Sequence, residues 1–533
     1  MIQSIKQGAF ALGALLLAGC PMIGPDFVKP DAPVAPDWKV RPDAHVEVKT
    51  GEQGQAEAEA LDYAAWWKSF GDPTLDQLVE KAYRENRSLR IAGLRIVQAQ
   101  ARRGVAIGGL FPQSQSAGFG YQRTKLSENQ LQDLSQVIGS GFSTWGLGFD
   151  AAWEVDLWGR FRRNVESADA ELVAALATYD DVLVSLVSEV AVTYIGVRTL
   201  QELLVVARTN ESIQARSLQI AQGRFDNGFV SELDVVQAKT LLRETQASIP
   251  GLQANLEQAQ NSLAVLLGMP PQALGDLLGA PKPIPATSQK LVVGIPADLL
   301  RRRPDIRRAE RAVAAQSARI GVALGDLYPS LSLVGQIGLA ANSFGQIWEG
   351  NSLEAFGGPS LRWNILNYGQ IRNNVRVQDA LFQEQIVAYE NTVLLAQQEV
   401  ENSIAGYLGA TAQVGYLTEG TVAAQRAVRL SELRYKEGES DYIRVLDAQR
   451  ALLRSQELLV VTRGSIGVEL IAVYKALGGG WELRDGQPFV PTEMSAEMKQ
   501  RTNWGDLLDT VDQDEQIGEA EEKDPTGWSW PLW

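Results

Sequence analysis

Leu172-Val173-Ala174-Ala175-Leu176-Ala177-Thr178-Tyr179 opens an apolar stripe that continues through Leu183, Leu186, Val190, Tyr194 and Val197. It lies in a stretch, Arg160 to Gly268, that holds no proline before Pro250. Steps of three and four are the seam of a coiled-coil-like helix. From Arg160 to the turn at Asn227-Gly228 that helix is roughly 100 Å long at about 1.5 Å per residue. Ordinary globular helices run about 8 to 20 residues, so no globular core uses such an arm. A second long helix follows the turn.

The helical hairpin occurs twice. Arg224-Phe225-Asp226-Asn227-Gly228 matches Arg434-Tyr435-Lys436-Glu437-Gly438. Leu233, Val235 and Ala238 then match Ile443, Val445 and Ala448, and Leu267-Gly268 matches Leu477-Gly478. A collinear, gapless run of matches reads as a tandem duplication of one structural unit.

Ahead of each helical hairpin the apolar period changes from about 3.6 to 2, the switch from helix to strand. Trp145, Leu147, Phe149, Ala151 and Trp153 fall on one face of a strand, and Thr144, Gly146, Gly148, Asp150 and Ala152 on the other. An apolar face backed by a small, polar one, with Trp at both ends, is the pattern of a membrane barrel strand. A soluble hairpin is the alternative on this segment alone. The second copy alternates Leu331, Leu333, Ile337 and Leu339 with Ser330, Ser332, Gln336 and Gly338. Trp153 to Gly159 matches Trp363 to Gly369. The repeat unit is helix, β-hairpin, long helical hairpin.

The resulting organisation is a signal peptide at 1–19, an N-terminal strap at 20–60 and a first repeat at 61–268. That repeat holds a β-hairpin at 111–155 and a helical hairpin at 160–268. A connector at 269–303 leads to a second repeat at 304–480, with a β-hairpin at 329–364 and a helical hairpin at 369–478. The five arginines between Gly294 and Arg308 are expected to pair with carboxylates at helix ends. The remaining segment, 481–533, is low in aliphatics. From Arg484 to Trp533 it carries 4 basic and 12 acidic residues, a net of −8. It reads as a disordered acidic tail, with Trp528, Trp530 and Trp533 as a possible docking motif.

The chain has 533 residues, 45% of them hydrophobic, and a formal net charge of −15. An acidic body argues against nucleic acid as a partner. There is one Cys and one His, His45, in a Pro-rich strap. That count removes Cys/His metal sites and His-based catalytic sites, and no clustered acidic pair stands in a pocket-forming segment. The chain reads as a non-enzyme without a cofactor.

At the N-terminus, Lys6 precedes a short apolar run, Ala9 to Ala18, that ends in Leu17-Ala18-Gly19-Cys20. This resembles a bacterial lipobox, in which the Cys is lipidated and becomes the new N-terminus. Pro21 follows in place of Asp, which in such lipoproteins points to the outer membrane.

Four strands cannot close a barrel, and an open sheet edge cannot sit in lipid. Bacterial barrels start at about eight strands, so at least two chains contribute. The long helices, unable to pack as a globule, form a tube side by side with those of other chains. Strands and helices are consecutive, so barrel and tube are coaxial.

The Trp66-Trp67 segment, the Gly294 to Arg308 segment, the duplicated unit and the lipobox together resemble the TolC-type outer-membrane efflux ducts. The resemblance is to the NodT/OprM-like lipoprotein branch of resistance-nodulation-division efflux systems and covers about residues 20 to 480. It implies a mainly helical homotrimer with a shared twelve-strand β-barrel, a long periplasmic α-barrel and an equatorial domain. It implies outer-membrane lipid, a periplasmic adaptor and an inner-membrane pump as partners, and the efflux of drugs and other small toxic compounds. A type I protein-secretion channel and a passive porin are the alternatives. The acidic tail departs from the family pattern.

A duct open at rest leaks, so the helix turns are the place for a gate. By the resemblance, Asp447 falls where the family's gate carries an Asp facing the axis, and Tyr435 and Arg434 where it carries tethering groups. In the first repeat Gln237 stands in the place of Asp447 and Asp234 in that of Arg444, so Asp234 and Arg224 are further candidates. Arg444 rules out a second Asp ring at its own position. The turn residues Asn227, Gly228, Glu437 and Gly438 are candidates for adaptor contact.

Overall fold

The computed structural model describes residues 22–39, 46–48, 63–125, 127, 141–271, 274–285, 291–293 and 302–510. The signal peptide, the lipidation candidate Cys20, His45 and the three C-terminal tryptophans lie outside these residues. In chain order the elements are strand β1 (Val46–Val48), helices α1 (Pro73–Glu85) and α2 (Arg87–Gly108), and strands β2 (Ser114–Lys125) and β3 (Gly141–Val155). Helices α3 (Arg160–Asp226) and α4 (Glu232–Leu266), strand β4 (Leu291–Val293) and helix α5 (Pro304–Gly325) follow. Then come strands β5 (Ser330–Ala341) and β6 (Leu353–Arg362), and helices α6 (Gln370–Glu437), α7 (Tyr442–Ala476) and α8 (Thr492–Arg501). The seam residues Leu172, Leu176, Tyr179, Leu183, Leu186, Val190, Tyr194 and Val197 of α3 are all buried. Although α3 is long and apolar enough by composition to cross a membrane, 61% of its most apolar window is buried inside the fold.

The chain divides into two compact units. The first is built on an antiparallel sheet of order β2-β3-β5-β6. Its register sets Tyr121 opposite Trp145, Phe119 opposite Leu147 and Phe149 opposite Ile337, which gathers the apolar residues on one face. Phe119, Phe149, Leu333, Ile337 and Leu361 of that face are exposed within one chain. The opposite face bounds a concavity lined by Gly118, Gln122, Thr144, Asp150, Gln336 and Glu354. Pro359 stands in β6, an edge strand, where a missing N–H is tolerated. Both β2 and β6 are edges of this sheet, with backbone groups that lipid cannot satisfy.

At the base of the strands, Ala106 of α2 packs with Val165 and Ala168 of α3, and Arg103 pairs with Asp169 at 2.5 Å. The strap after Cys20 is fixed here. The amide of Ile23 donates to the carbonyl of Trp158 (3.1 Å). Arg163, 1% exposed, donates to Asp26 and Glu166 (2.7 Å each) and to the carbonyls of Ile23 and Gly24. Gly24 has φ +104°, and a Cβ there would lie 2.6 Å from the Cα of Gly321, so only glycine lets the strap lie this close.

The second unit holds the turns and most of the helical mass. Asp72 caps α1 by accepting from the amide of Thr74 (2.9 Å), with Pro73 opening the helix. Leu75, Leu78, Val79 and Ala82 form its buried stripe. Trp66 stacks on Tyr474 with centroids 5.4 Å apart and meets Trp67 and Phe70 edge-on. Arginines at the start of α5 meet carboxylates. Arg303 pairs with Asp305 and Glu399 (2.8 Å each), Arg307 with Asp180 (3.4 Å) and Arg308 with Asp181 (3.0 Å). Within the connector, β4 pairs in parallel with β1 of the strap, a joining of two remote segments that no local pattern announces. Pro250 lies inside α4 without ending it.

The reading of 481–533 as a disordered tail is corrected over 481–510. This segment forms a short turn at Trp481–Arg484 and helix α8. Arg484 is 4% exposed and donates to Asp180, itself 0% exposed, at 2.5 Å. Phe489 meets Tyr179 edge-on, and Phe489, Val490 and Met498 are buried. Low aliphatic content signals disorder only for a segment that must build its own core. This one docks a few side chains into a core that exists already.

Candidate functional site

The candidate site is the pair of helix turns. Each closes on a glycine at positive φ, Gly228 at +75° and Gly438 at +79°. In the first turn the amide of Phe229 reaches back to the carbonyl of Arg224 (2.9 Å) and that of Gly228 to Phe225 (2.8 Å). In the second, Glu439 reaches Arg434 (2.9 Å) and Gly438 reaches Tyr435 (3.1 Å). This is the Schellman closure, which needs a left-handed residue after the last helical turn and so selects Gly in both copies.

The two turns pack on each other through non-equivalent residues. Tyr435, 3% exposed, donates its hydroxyl to Oδ2 of Asp234 (3.0 Å). Arg224 donates from one guanidinium nitrogen to the carbonyls of Tyr435 (2.5 Å) and Lys436 (2.6 Å). Those are end carbonyls of α6, which lack partners within their own helix. The guanidinium also lies 5.0 Å from the centroid of the Tyr435 ring, within cation–π range. Tyr442 meets Tyr435 edge-on at 5.2 Å and shares a 3.0 Å hydrogen bond with Ser217. Ala221, Ala238, Leu241, Val445 and Leu446 complete a buried cluster beneath these groups. Burial, and then the bond to Asp234, raise the Tyr435 hydroxyl far above the ordinary tyrosine value, so it is a fixed donor.

Of the five gate candidates, the structure brings together Tyr435, Asp234 and Arg224. It leaves out Arg434 and Asp447, whose side chains are exposed and make no hydrogen bond or ion pair among the described residues. The duplicated positions have diverged. Phe225, the counterpart of Tyr435, is 38% exposed, while Arg224 is tucked under the other turn and its counterpart Arg434 points to solvent. Asn227, Gly228, Glu437 and Gly438 are exposed at the turns. Sequence reasoning missed Tyr442 and Ser217. Tyr442 could have been found as an aromatic at the first position of a helix beside a candidate tether. Ser217, an unremarked serine in the middle of a long helix, carries no such signal.

Among the described residues there is no cluster of His, Cys, Asp or Glu that could hold a metal ion. What the turns offer is a set of hydrogen bonds and ring contacts between two helical hairpins, with the exposed charges of Arg434 and Asp447 beside them.

The family model described as "Outer membrane efflux protein" matches residues 78–269 and 295–479. The pyoverdine export outer membrane protein OpmQ of Pseudomonas putida is 32% identical over 454 residues, covering 84% of this chain and 94% of its own. Nodulation protein T of Rhizobium leguminosarum is 31% identical over 446 residues, covering 84% and 91%. Among solved structures, the outer-membrane channel OprN superimposes with a TM-score of 0.76 at 34% identity, covering 86% of this chain and 99% of its own. The two matched blocks correspond to the two repeats, and residues 480–533 lie beyond them.

Proposed function

The chain belongs to the outer membrane efflux protein family, and from that premise we propose that it is the exit duct of a tripartite efflux system. It resides in the outer membrane with a long periplasmic helical extension. Three copies share a twelve-strand barrel, to which each contributes β2, β3, β5 and β6, and α3, α4, α6 and α7 build the periplasmic tube. The observation that carries this reading is the sheet with two unpaired edges and an exposed apolar face, which is complete only when other copies close it.

A periplasmic adaptor and an inner-membrane resistance-nodulation-division pump complete the system, with Asn227, Gly228, Glu437 and Gly438 as the adaptor's contacts. The cargo is small molecules such as drugs and toxic compounds. The export of pyoverdine for which OpmQ is named supports a non-protein cargo. Cys20 carries the lipid. Residues 269–303 with the strap form the equatorial region.

The gate lies at the turns. Tyr435, Asp234 and Arg224 hold the two helical hairpins of one copy together, and Asp447 of each copy stands toward the axis. Three carboxylates around an axis repel one another and favour cations. The links among the hairpins resist that repulsion in the closed state, with Arg434 free to tie a neighbouring copy. An adaptor that binds the separated turns more tightly shifts the population to the open state.

Mild crosslinking in native membranes, pull-down through this protein and mass spectrometry of the partners test the function. Recovery of a resistance-nodulation-division pump with its adaptor is expected. Recovery of an ATP-driven transporter would move the reading to type I protein secretion, and reproducible absence of any inner-membrane partner would make it a passive porin.

A further inference from the structure

The charged residues of the sheet are sorted by face. Side chains alternate along a strand, and the register of the four strands assigns each one. Asp150, Glu154, Glu354 and Arg362 share the face of the concavity. On the apolar, lipid-directed face the only charged residues among the described strand positions are Arg123 and Lys125, both at one end of β2.

Their height is set by the aromatic belt. Tyr121 and Trp145 are paired across strands, their rings 4.6 Å apart, and Phe344 lies against Trp145 at 5.2 Å. From Trp145 down to Val155 the outward face is uncharged. Ten residues at about 3.3 Å each, tilted by about 40°, make a band about 25 Å tall, the height of the apolar band of an outer-membrane barrel. Arg123 pairs with Ser143, two positions beyond the belt, which is about 5 Å higher on the same geometry. The long helices leave from the opposite ends of the strands and are periplasmic, so this end faces the exterior. Both side chains are exposed, and neither makes an ion pair among the described residues.

We propose that Arg123 and Lys125 form a binding site on the outer wall of the barrel for the phosphorylated headgroup of lipopolysaccharide, the outer-leaflet glycolipid. Two cations two strand residues apart stand about 7 Å from each other, at the level where the glycolipid's sugar phosphates meet its acyl chains. Arg offers a planar fork to phosphate and Lys a point charge. The aromatic belt beneath takes the upper acyl chains. A basic pair on the outer wall of a chain of net charge −15 is placed against the one face that meets anionic lipid.

Native mass spectrometry of the full-length protein tests this, with bisphosphorylated lipid A, monophosphoryl lipid A and phosphatidylglycerol as separate probes. The wild type is expected to retain bisphosphorylated lipid A most strongly. Arg123→Ala with Lys125→Ala should lower that retention by at least about tenfold, with phosphatidylglycerol weak and unchanged. Arg123→Lys with Lys125→Arg keeps both charges and should restore retention, which separates loss of the site from loss of the fold. Equal retention of lipid A by the double-alanine protein, or phosphatidylglycerol held as tightly as lipid A and lost on the same substitution, overturns the proposal.

Discussion

The hydroxyl of Tyr435 donates a 3.0 Å hydrogen bond to the carboxylate of Asp234, tying the end of one helical hairpin to the start of the return helix of the other. Hydrogen bonds to a charged group contribute about 1.5–3 kcal/mol. Tyr435→Phe keeps the ring packed against Tyr442 and Arg224 and removes this bond alone. The expected result is a higher resting conductance in planar bilayers with little change in melting temperature. The same link should survive moderate alkali. The folded tyrosine's value is raised, so its stabilisation is complete below the ordinary value of 10.0 and is lost as pH rises through the higher folded value. Resting conductance that climbs as pH passes the ordinary value of 10.0, or that stays at the wild-type level in the Phe variant, would remove Tyr435 from the gate.

Asp447 tests a different part of the same proposal, because it stands outside the linked cluster. Asp447→Ala should raise leak conductance and weaken cation preference in bilayers, while Asp447→Glu keeps both near the wild type. An alanine variant with unchanged closed-state conductance would show that Asp447 is an ordinary solvated helix charge.

Arg484 and Asp180 form a buried pair. Removing one partner of such a pair leaves an uncompensated charge and costs about 3–5 kcal/mol. Arg307 still faces Asp180 at 3.4 Å, so Arg484→Ala is placed at about 3 kcal/mol, the low end of that range. Thermal unfolding reads the loss, and limited proteolysis should show faster cleavage within 481–510. A protein cut no faster there would mean that the segment is held by its apolar contacts alone.

Asp72 gives the acid side of the stability profile. Burial pushes its carboxyl up, but the hydroxyl of Tyr194 and the amide of Thr74 outweigh burial and hold it below the ordinary value of 3.8. A depressed folded value means stabilisation that is present above 3.8 and lost as pH falls through the lower folded value. Asp72→Asn retains a capping side chain and loses the charge. Its melting temperature should fall at neutral pH and change less than the wild type's between pH 5 and 3; parallel curves would refute the assignment.

How much of this was legible depended on whether a signal was local. The seam of α3 repeats at a fixed step, and each of the eight residues named for it is buried. The strand faces were legible through alternation, and the turns through their glycines. Tyr435 could be marked by the family resemblance, and Asp234 and Arg224 by the alignment of the duplicated turns. Neither the bond from Tyr435 to Asp234 nor the reach of Arg224 to the carbonyls of the other turn could be. Which side chain crosses between the turns depends on how two helices separated by some two hundred residues meet, and the copies have diverged on that point. The pairing of β1 with β4 and the docking of Arg484 on Asp180 failed to show for the same reason. Each joins distant segments through a few contacts that leave no period or composition behind.

One row of the sheet bears on what the duct can discriminate. Gly118, Gly148 and Gly338 stand opposite one another on three neighbouring strands, and Gly120 and Gly146 form the next row. A Cβ on Gly118, Gly120 or Gly146 would meet open space, so packing does not require glycine there. Bare peptide at that height leaves room beside three of the four strands, and Glu354, opposite Gly338 on β6, is the side chain that still projects from that row. On the proposed trimeric reading, a molecule in the barrel meets at that row three Glu354 carboxylates, one from each copy, set apart by bare peptide.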